Sequence, residues 1–179
     1  CKRAGGQSYG RCALKDDITP VLEQLAQADA IVFLSQGVPF IQEGEEFMRS
    51  KYDARTGKYE GNSYNVGDSV NLMDYSLKVK NAGVYEKTRE LIRFRKEQGA
   101  FRLSSRAEIQ SKVTDVVQNG GNISFEADGL KVFHTITGTQ VDLDGTYEIL
   151  YSNLRGEYGT VTGTLRSEER RVGKECRSR

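Results

Sequence analysis

The stretch "TPVLEQLAQADAIVFLSQGVPFIQEGEEF", Thr19 to Phe47, decides how the rest of the chain is read. Thr19 suits a helix N-cap, and Pro20 suits the first helical position, where its missing N–H costs nothing. Val21, Leu22, Leu25, Ala28 and Val32 recur at three- and four-residue spacing, which predicts a helix with one core-facing stripe. Ala30 to Leu34 is apolar without interruption, so this end is expected to be buried nearly all round, with Gly37 as the stop. Val38, Phe40 and Ile41, entered through the restricted Pro39, predict a short buried strand. The acidic cluster Glu43, Glu45 and Glu46 follows, with Gly44 as its turn. Helix, strand, then polar residues at the strand's C-terminal end is the grammar of α/β architecture, and in barrels of that type the chemistry lies at that end.

Downstream, Met48 to Val79 is a loop of roughly thirty residues, more than a compact domain usually leaves unstructured. Within it, "EGNSYNVGDSVNLMDY", Glu60 to Tyr75, holds Asn62, Asn65, Asn71, Asp68, Asp74, Tyr64 and Tyr75 with no helical or strand period. Two readings stand. Asn62, Asn65 and Asp68 can close Asx-turns that hold a long loop. The same segment can be a wall of hydrogen-bonding groups for a polyhydroxylated ligand, with a Tyr ring stacked on it.

A second amphipathic helix follows in "VYEKTRELIRFRKEQG", Val84 to Gly99. Val84, Thr88, Leu91, Ile92 and Arg95 share a face, Phe94 widens it, and Gly99 is the expected C-cap. Glu86 and Glu90 lie at helical spacing from Arg89 and Arg93. From Phe101 the texture becomes β-rich: Val113–Val117, Ile123–Ala127, Leu130–Thr137, Thr146–Ser152 and Tyr158–Thr162. Turn signals separate them at Asn119–Asn122, Asp128–Gly129, Asp144–Gly145 and Arg155–Gly156, which predicts an antiparallel sandwich beginning near Leu103. His134 is expected to be packed on a strand, and Tyr147 and Tyr151 to alternate into the core rather than form a sugar-stacking platform.

Composition narrows the function classes. Of 179 residues, 37% are hydrophobic and 28% charged, as in a globular protein on the polar side. Lys plus Arg number 26 against 25 Asp plus Glu, so no charge field argues for nucleic acid. The longest apolar run, Ala30 to Leu34, is far too short to span a membrane. Cys1, Cys12 and Cys176 lack the spacing and His partners of a metal or redox site, although the first two could pair as a disulfide. Neither metal nor cofactor is expected.

The two ends read differently from the middle. Residues 1–16 mix Gly, Ser and basic residues without a period and are given no function. Residues 166–179, "RSEERRVGKECRSR", carry five Arg and one Lys against three Glu, and their only apolar members are Val172 and Cys176. They are expected to be disordered. A basic interaction tail is the functional reading, but the stretch resembles the translated read-through of a common sequencing adapter and is set aside as foreign to the fold.

Two motifs carry a family resemblance. The block "SQGVPFIQEGEEFMRSK" followed by "GNSYNVGDSVNLMDYSLK" resembles the end of the catalytic barrel in the alpha-amylase superfamily of glycoside hydrolases, in its pullulanase branch. The carrying residues are Gly37, Pro39, Gly44, Glu45 and Glu46, then Phe47, Arg49 and Lys51, then Asn62, Ser63, Tyr64, Asn65, Asp68, Asn71 and Asp74. Gln42, Glu43 and Tyr75 depart from that pattern, and "YDARTGKYE" lengthens the loop.

The resemblance implies an α+β fragment: residues 17–102 as the last helix–strand–helix units of a (β/α)8 barrel, and 103–165 as an antiparallel β-sandwich. It implies a parent that cleaves alpha-1,6 links in branched alpha-glucans such as pullulan, starch or glycogen by a retaining mechanism. Such a mechanism needs two carboxyl groups about 5 Å apart, and in the family these lie upstream of this segment. The only histidine, His134, is followed by Thr135, so the family's His-Asp pair is not here either. No catalytic residue is therefore expected in this chain, and Glu43, Glu45 and Glu46 are expected to be structural, with Glu46 in reach of Arg49. Arg49, Asn62, Tyr64 and Asn65 are the expected substrate-binding residues. An isoamylase or glycogen-debranching relative, and a non-catalytic carbohydrate-binding module, are the alternatives. The isolated chain is expected to be inactive and prone to aggregate, since a lone barrel strand leaves its edges unpaired.

Overall fold

The computed structural model describes residues 19–135, 139–152, 159–167 and 174–178. Residues 1–16 with Cys1 and Cys12, and the expected turn at Arg155–Gly156, lie outside the described residues, as do the side chains of Val21, Leu22 and Cys176. The chain is α+β, and every strand pairing is antiparallel. It divides into two compact units, one holding residues 41–87 and the other 19–40 together with 88 onward.

The first unit contains a 3-10 turn at Glu45–Phe47 and a short hairpin, β1 (Tyr52–Asp53) with β2 (Lys58–Tyr59). The short helices α2 (Asp68–Asn71) and α3 (Ser76–Lys80) follow, so the expected open loop is structured along much of its length. The "YDARTGKYE" segment is the hairpin itself, closed by the Tyr52–Tyr59 cross-strand pair with rings 5.2 Å apart. Phe47 and Val70 are the buried apolar residues, and Tyr75 meets Phe47 at 6.1 Å between centroids. Gly44 is required by both conformation and space: φ is +92°, and a Cβ would fall 2.7 Å from Cβ and Cδ of Arg49.

The second unit is built on α1 (Thr19–Phe33), the later turns of α4 (Ala82–Glu97) and a six-stranded sheet. The strands are β3 (Val113–Asn119), β4 (Asn122–Ala127), β5 (Leu130–His134), β6 (Thr139–Ser152), β7 (Gly159–Ser167) and β8 (Lys174–Ser178), in the order β3-β4-β5-β8-β6-β7. Turns at Gly120–Gly121 and Asp128–Gly129 make the first two hairpins, with φ positive at both Asp128 (47°) and Gly129 (84°). α4 buries Thr88, Leu91, Phe94 and Arg95, close to the face its periodicity predicts. Phe94 stacks on Tyr151 at 5.5 Å, and Gln27 donates to the Thr135 carbonyl at 2.9 Å. This grouping places α1 and the end of α4 with the strands.

Several expectations are corrected. Val38–Ile41 is not a strand: Val38 and Phe40 are 94% and 90% exposed, and no neighbouring strand is offered to it among the described residues. A strand needs a ladder partner, and apolar sequence alone does not supply one. α1 buries Gln27, Asp29, Ala30 and Phe33, while Ala28 of the expected stripe is exposed and Val32 is 36% exposed. The helix turns its Gln27 face to the sheet, where that amide has a carbonyl to bond. Asp144–Gly145 is no turn but a bulge inside β6, with the register shifting between Asp142 and Thr146. Gly99 does not cap α4 but opens a 3-10 turn, Gly99–Phe101.

The Ser105–Glu108 capping box starts α5 (Arg106–Lys112), a helix the β-rich reading passes over. Within the stretch expected to be disordered, Lys174–Ser178 forms β8, since a backbone with a ladder on each side needs no apolar composition to pair. Among the described residues, β3 to β8 bond in one strand order, separate from the β1–β2 hairpin.

Candidate functional site

The loop that carries the expected binding residues is organised by one amide. Asn71, at the end of α2, donates through Nδ2 to the Ser63 carbonyl at 2.7 Å and to the Val66 carbonyl. Its Oδ1 accepts from Lys51 Nζ at 2.8 Å, and its backbone carbonyl accepts from Arg49 Nη2 at 2.6 Å. Val66 N–H bonds the Ser63 carbonyl at 3.1 Å, so Ser63 to Val66 is a β-turn with Tyr64 and Asn65 at its corners. The ends of that turn are held by Asn71, and the corners point outward: Tyr64 is 82% exposed, and Asn62 and Asn65 are exposed.

Of the four expected residues, Tyr64 and Asn65 are thus the solvent-facing corners of one turn, and the exposed Asn62 directly precedes it. Arg49 does not join them there. It is half-buried against Gly44 and acts as a brace beneath Asn71, its Nε enclosed without a hydrogen-bond partner. Burial, and then the Arg49 charge, lower the Lys51 pKa. Asn71 is the residue that sequence reasoning undervalued; it stands in the motif, yet nothing in its type says that it will be a hub. The expected Asx-turns occur at other residues: Asp53 Oδ1 accepts from Arg55 N–H at 3.0 Å, and Asp74 Oδ1 from Ser76 N–H at 2.9 Å.

The acidic cluster is engaged locally. Glu45 accepts from Gln42 N–H at 3.2 Å and Glu46 from Gly44 N–H at 2.9 Å, so Glu46 bonds the turn rather than Arg49. Glu43 accepts from the Tyr75 hydroxyl at 3.0 Å, and that bond raises the Tyr75 pKa. Glu43 and Tyr75, two of the three residues that depart from the motif pattern, are therefore partners of one another.

On the sheet, Tyr147 and Tyr151 are 5% and 8% exposed, so neither ring is open for stacking on a sugar. Tyr147 packs with Phe133 and Leu165, and its hydroxyl bonds Asp144, which also receives Lys131 Nζ at 2.8 Å. These two bonds hold the Asp144 carboxyl down at about 2 and raise the Lys131 pKa. His134 is 3% exposed with both ring nitrogens lacking a hydrogen-bond partner, and burial pushes its pKa down to about 4. Among the described residues no group of three His, Cys, Asp or Glu side chains converges as a metal ion needs, and no helix is long and apolar enough to cross a membrane.

No family model matches the chain. Curated relatives do. Over 83 residues the chain is 42% identical to a pullulanase of Bacillus subtilis (strain 168), a match covering 46% of this chain and 11% of that protein. Over 76 residues it is 36% identical to an isoamylase of Pseudomonas amyloderamosa, covering 42% of this chain and 9% of that one. The fold is similar to that of type I pullulanase from Bacillus subtilis str. 168, solved in complex with maltose. That likeness has a TM-score of 0.75 at 25% identity and covers 93% of this chain and 24% of that one. Sequence similarity and fold similarity converge on pullulanases, and the chain spans only a part of those relatives' length.

Proposed function

We propose that the chain is the C-terminal part of an alpha-1,6-glucan debranching glycoside hydrolase acting on branched glucans such as pullulan, starch or glycogen. In this reading residues 17–102 belong to the closing units of a (β/α)8 barrel, and 103–165 to a C-terminal sandwich. The catalytic carboxylates belong to the rest of the parent, and this part supplies one wall of the cleft. The observation that carries the reading is the Asn71-held turn, which presents Tyr64, Asn65 and Asn62 to solvent on a base braced from below. A ring and two planar amides, fixed by a scaffold with no structural duty of their own, suit a chain of sugar hydroxyls and apolar sugar faces. Arg49 and Asn71 act as positioning residues, and Tyr64, Asn65 and Asn62 as the contacts.

The test is a maltotriose titration of the chain followed by NMR, with aromatic and amide resonances assigned. Shifts confined to Tyr64, Asn65 and Asn62 support the reading, and Tyr64→Ala should abolish them. Saturable shifts on the six-stranded sheet, with the turn silent, would replace it with a sheet-borne binding module. In a full-length parent, Tyr64→Ala is expected to lower kcat/KM for pullulan by about tenfold, the loss of roughly 1.4 kcal/mol of stacking. Turnover of pullulan by the purified chain alone would overturn the assignment of the catalytic groups to the rest of the parent.

A further inference from the structure

Among the described residues the six-stranded sheet ends on β3 at one side and on β7 at the other. A terminal strand offers a row of unpaired N–H and C=O groups to any extended chain, and folded proteins usually blunt it with lysine, proline or inward charge. These two strands do little of that. Residues 159–165 of β7 read Gly-Thr-Val-Thr-Gly-Thr-Leu, without a charge or a proline. β3 reads Val-Thr-Asp-Val-Val-Gln-Asn, its one charge at Asp115, and Val116 and Val117 are 66% and 55% exposed. β-branched, weakly charged runs of this length are the kind that pair with copies of themselves.

The backbone supplies what the side chains do not. Within the described strands φ is positive only at Asp115 (51°) in β3 and at Gly159 (122°) and Gly163 (80°) in β7, all of them in the two terminal strands. In β3 the register passes from Thr114 opposite Glu126 to Val117 opposite Ser124, so Asp115 and Val116 together face Phe125. That is a bulge, and its left-handed residue is an aspartate where glycine would be the easier choice. In β7, Gly163 stands alone opposite the β6 residues between Asp142 and Thr146. We infer that the left-handed breaks at Asp115 and Gly163 keep the two open edges of the sheet from adding a strand of a second copy of this chain. Each break bends its strand and throws the outward row of donors and acceptors out of line. The straight pieces that remain, 113–114 and 116–119 in β3 and 160–162 and 164–167 in β7, are short for a ladder. No part of this rests on the glucan reading.

Sedimentation equilibrium of the full chain and four variants at equal concentration tests this, with circular dichroism checking the β content of each. Deleting Asp115 restores the alternation of β3 and is expected to strengthen self-association about tenfold or more. Asp115→Gly removes the charge but keeps the bend, and should sediment as the wild type does. A Cβ at Gly163 meets nothing within 4 Å, so only conformation resists a side chain there. Gly163→Val should straighten β7 and associate, because valine avoids positive φ; Gly163→Asn should not, because asparagine tolerates it. Where the deletion chain lacks native β content, the contrast between valine and asparagine at Gly163 decides alone. Slowed amide exchange is expected at Val116 and Val117 in the associated deletion chain, and at Thr162 and Thr164 in the associated valine chain. Association of Asp115→Gly to the level of the deletion would overturn the proposal, since charge and not shape would then protect the edge. So would wild-type sedimentation of the folded Gly163→Val chain, or protection on association confined to the exposed Val38 and Phe40.

Discussion

The loop unit and the sheet unit solve the same problem, the satisfaction of backbone polar groups, by opposite means. In the sheet, N–H and C=O groups face one another along ladders, and side chains are left to pack. Between Ser63 and Asn71 no ladder exists, and one amide side chain meets two carbonyls while its own carbonyl groups take Lys51 and Arg49. Ladder bonding spreads stability over many residues and leaves little surface free. Hub bonding concentrates it in one residue and frees Tyr64 and Asn65 from structural duty. A surface that must hold a ligand benefits from the second arrangement.

The largest expected effect falls in the second unit, at the one place where it too relies on a hub. Arg95 is 6% exposed and donates to the carbonyls of Phe33, Ser35 and Gly37 at 2.5, 2.7 and 2.5 Å, closing the C-terminal end of α1. Arg95→Met should cost about 4 kcal/mol of global stability, since it strands several carbonyls away from water. Chemical denaturation measures it, and a loss below about 1 kcal/mol would show that the hub is redundant.

His134 comes next, through pH. Its pKa is lowered to about 4 in the fold from 6.5 when unfolded, so the unfolded chain binds the proton first as pH falls. Stability is therefore full above 6.5, declines as pH drops toward 4, and is flat below that for this group, by about 3 kcal/mol in all. His134→Phe should remove that slope in a Tm-against-pH series. Asp144 acts at lower pH: its carboxyl, held down at about 2, adds stability above the ordinary carboxylate range that is lost as pH falls toward 2.

Asn71→Ala should cost about 2 kcal/mol, felt within the loop. Hydrogen exchange is expected to rise at Val66 and Val70 while Val132 stays protected, and a uniform rise would erase the contrast between the two constructions. Tyr64→Ala, at the other extreme, should change stability by less than about 0.5 kcal/mol. A larger loss by calorimetry would mean that the turn's corner does structural service after all.

How much of this was legible in the sequence follows the same divide. Strands β3, β4 and β5 announce themselves because Gly120–Gly121 and Asp128–Gly129 are turn signals whose conformation is fixed by residue type. The face of α4 is legible because its apolar spacing meets a core. The strand expected at Val38–Ile41 fails because pairing depends on a neighbour that no local pattern reports. Asp144–Gly145 has the composition of a turn, but Lys131 and Tyr147 bind Asp144 and keep the chain extended through a bulge. Ser105–Glu108 was readable as a capping box by rule. For the candidate site, the motif singles out Asn62, Tyr64 and Asn65, whose exposure the structure describes, but the bonds that Asn71 and Arg49 make are decided by loop closure.

The clamp on Ser63 and Val66 also makes the two residues between them a permissive site. Both ends of the turn are fixed by the same side chain, so a peptide tag or reporter grafted between Tyr64 and Asn65 would begin and end on anchored stems. A proteolytic nick there would leave two tails still tethered to Asn71. The position is where this molecule could be lengthened or labelled with little disturbance to either unit.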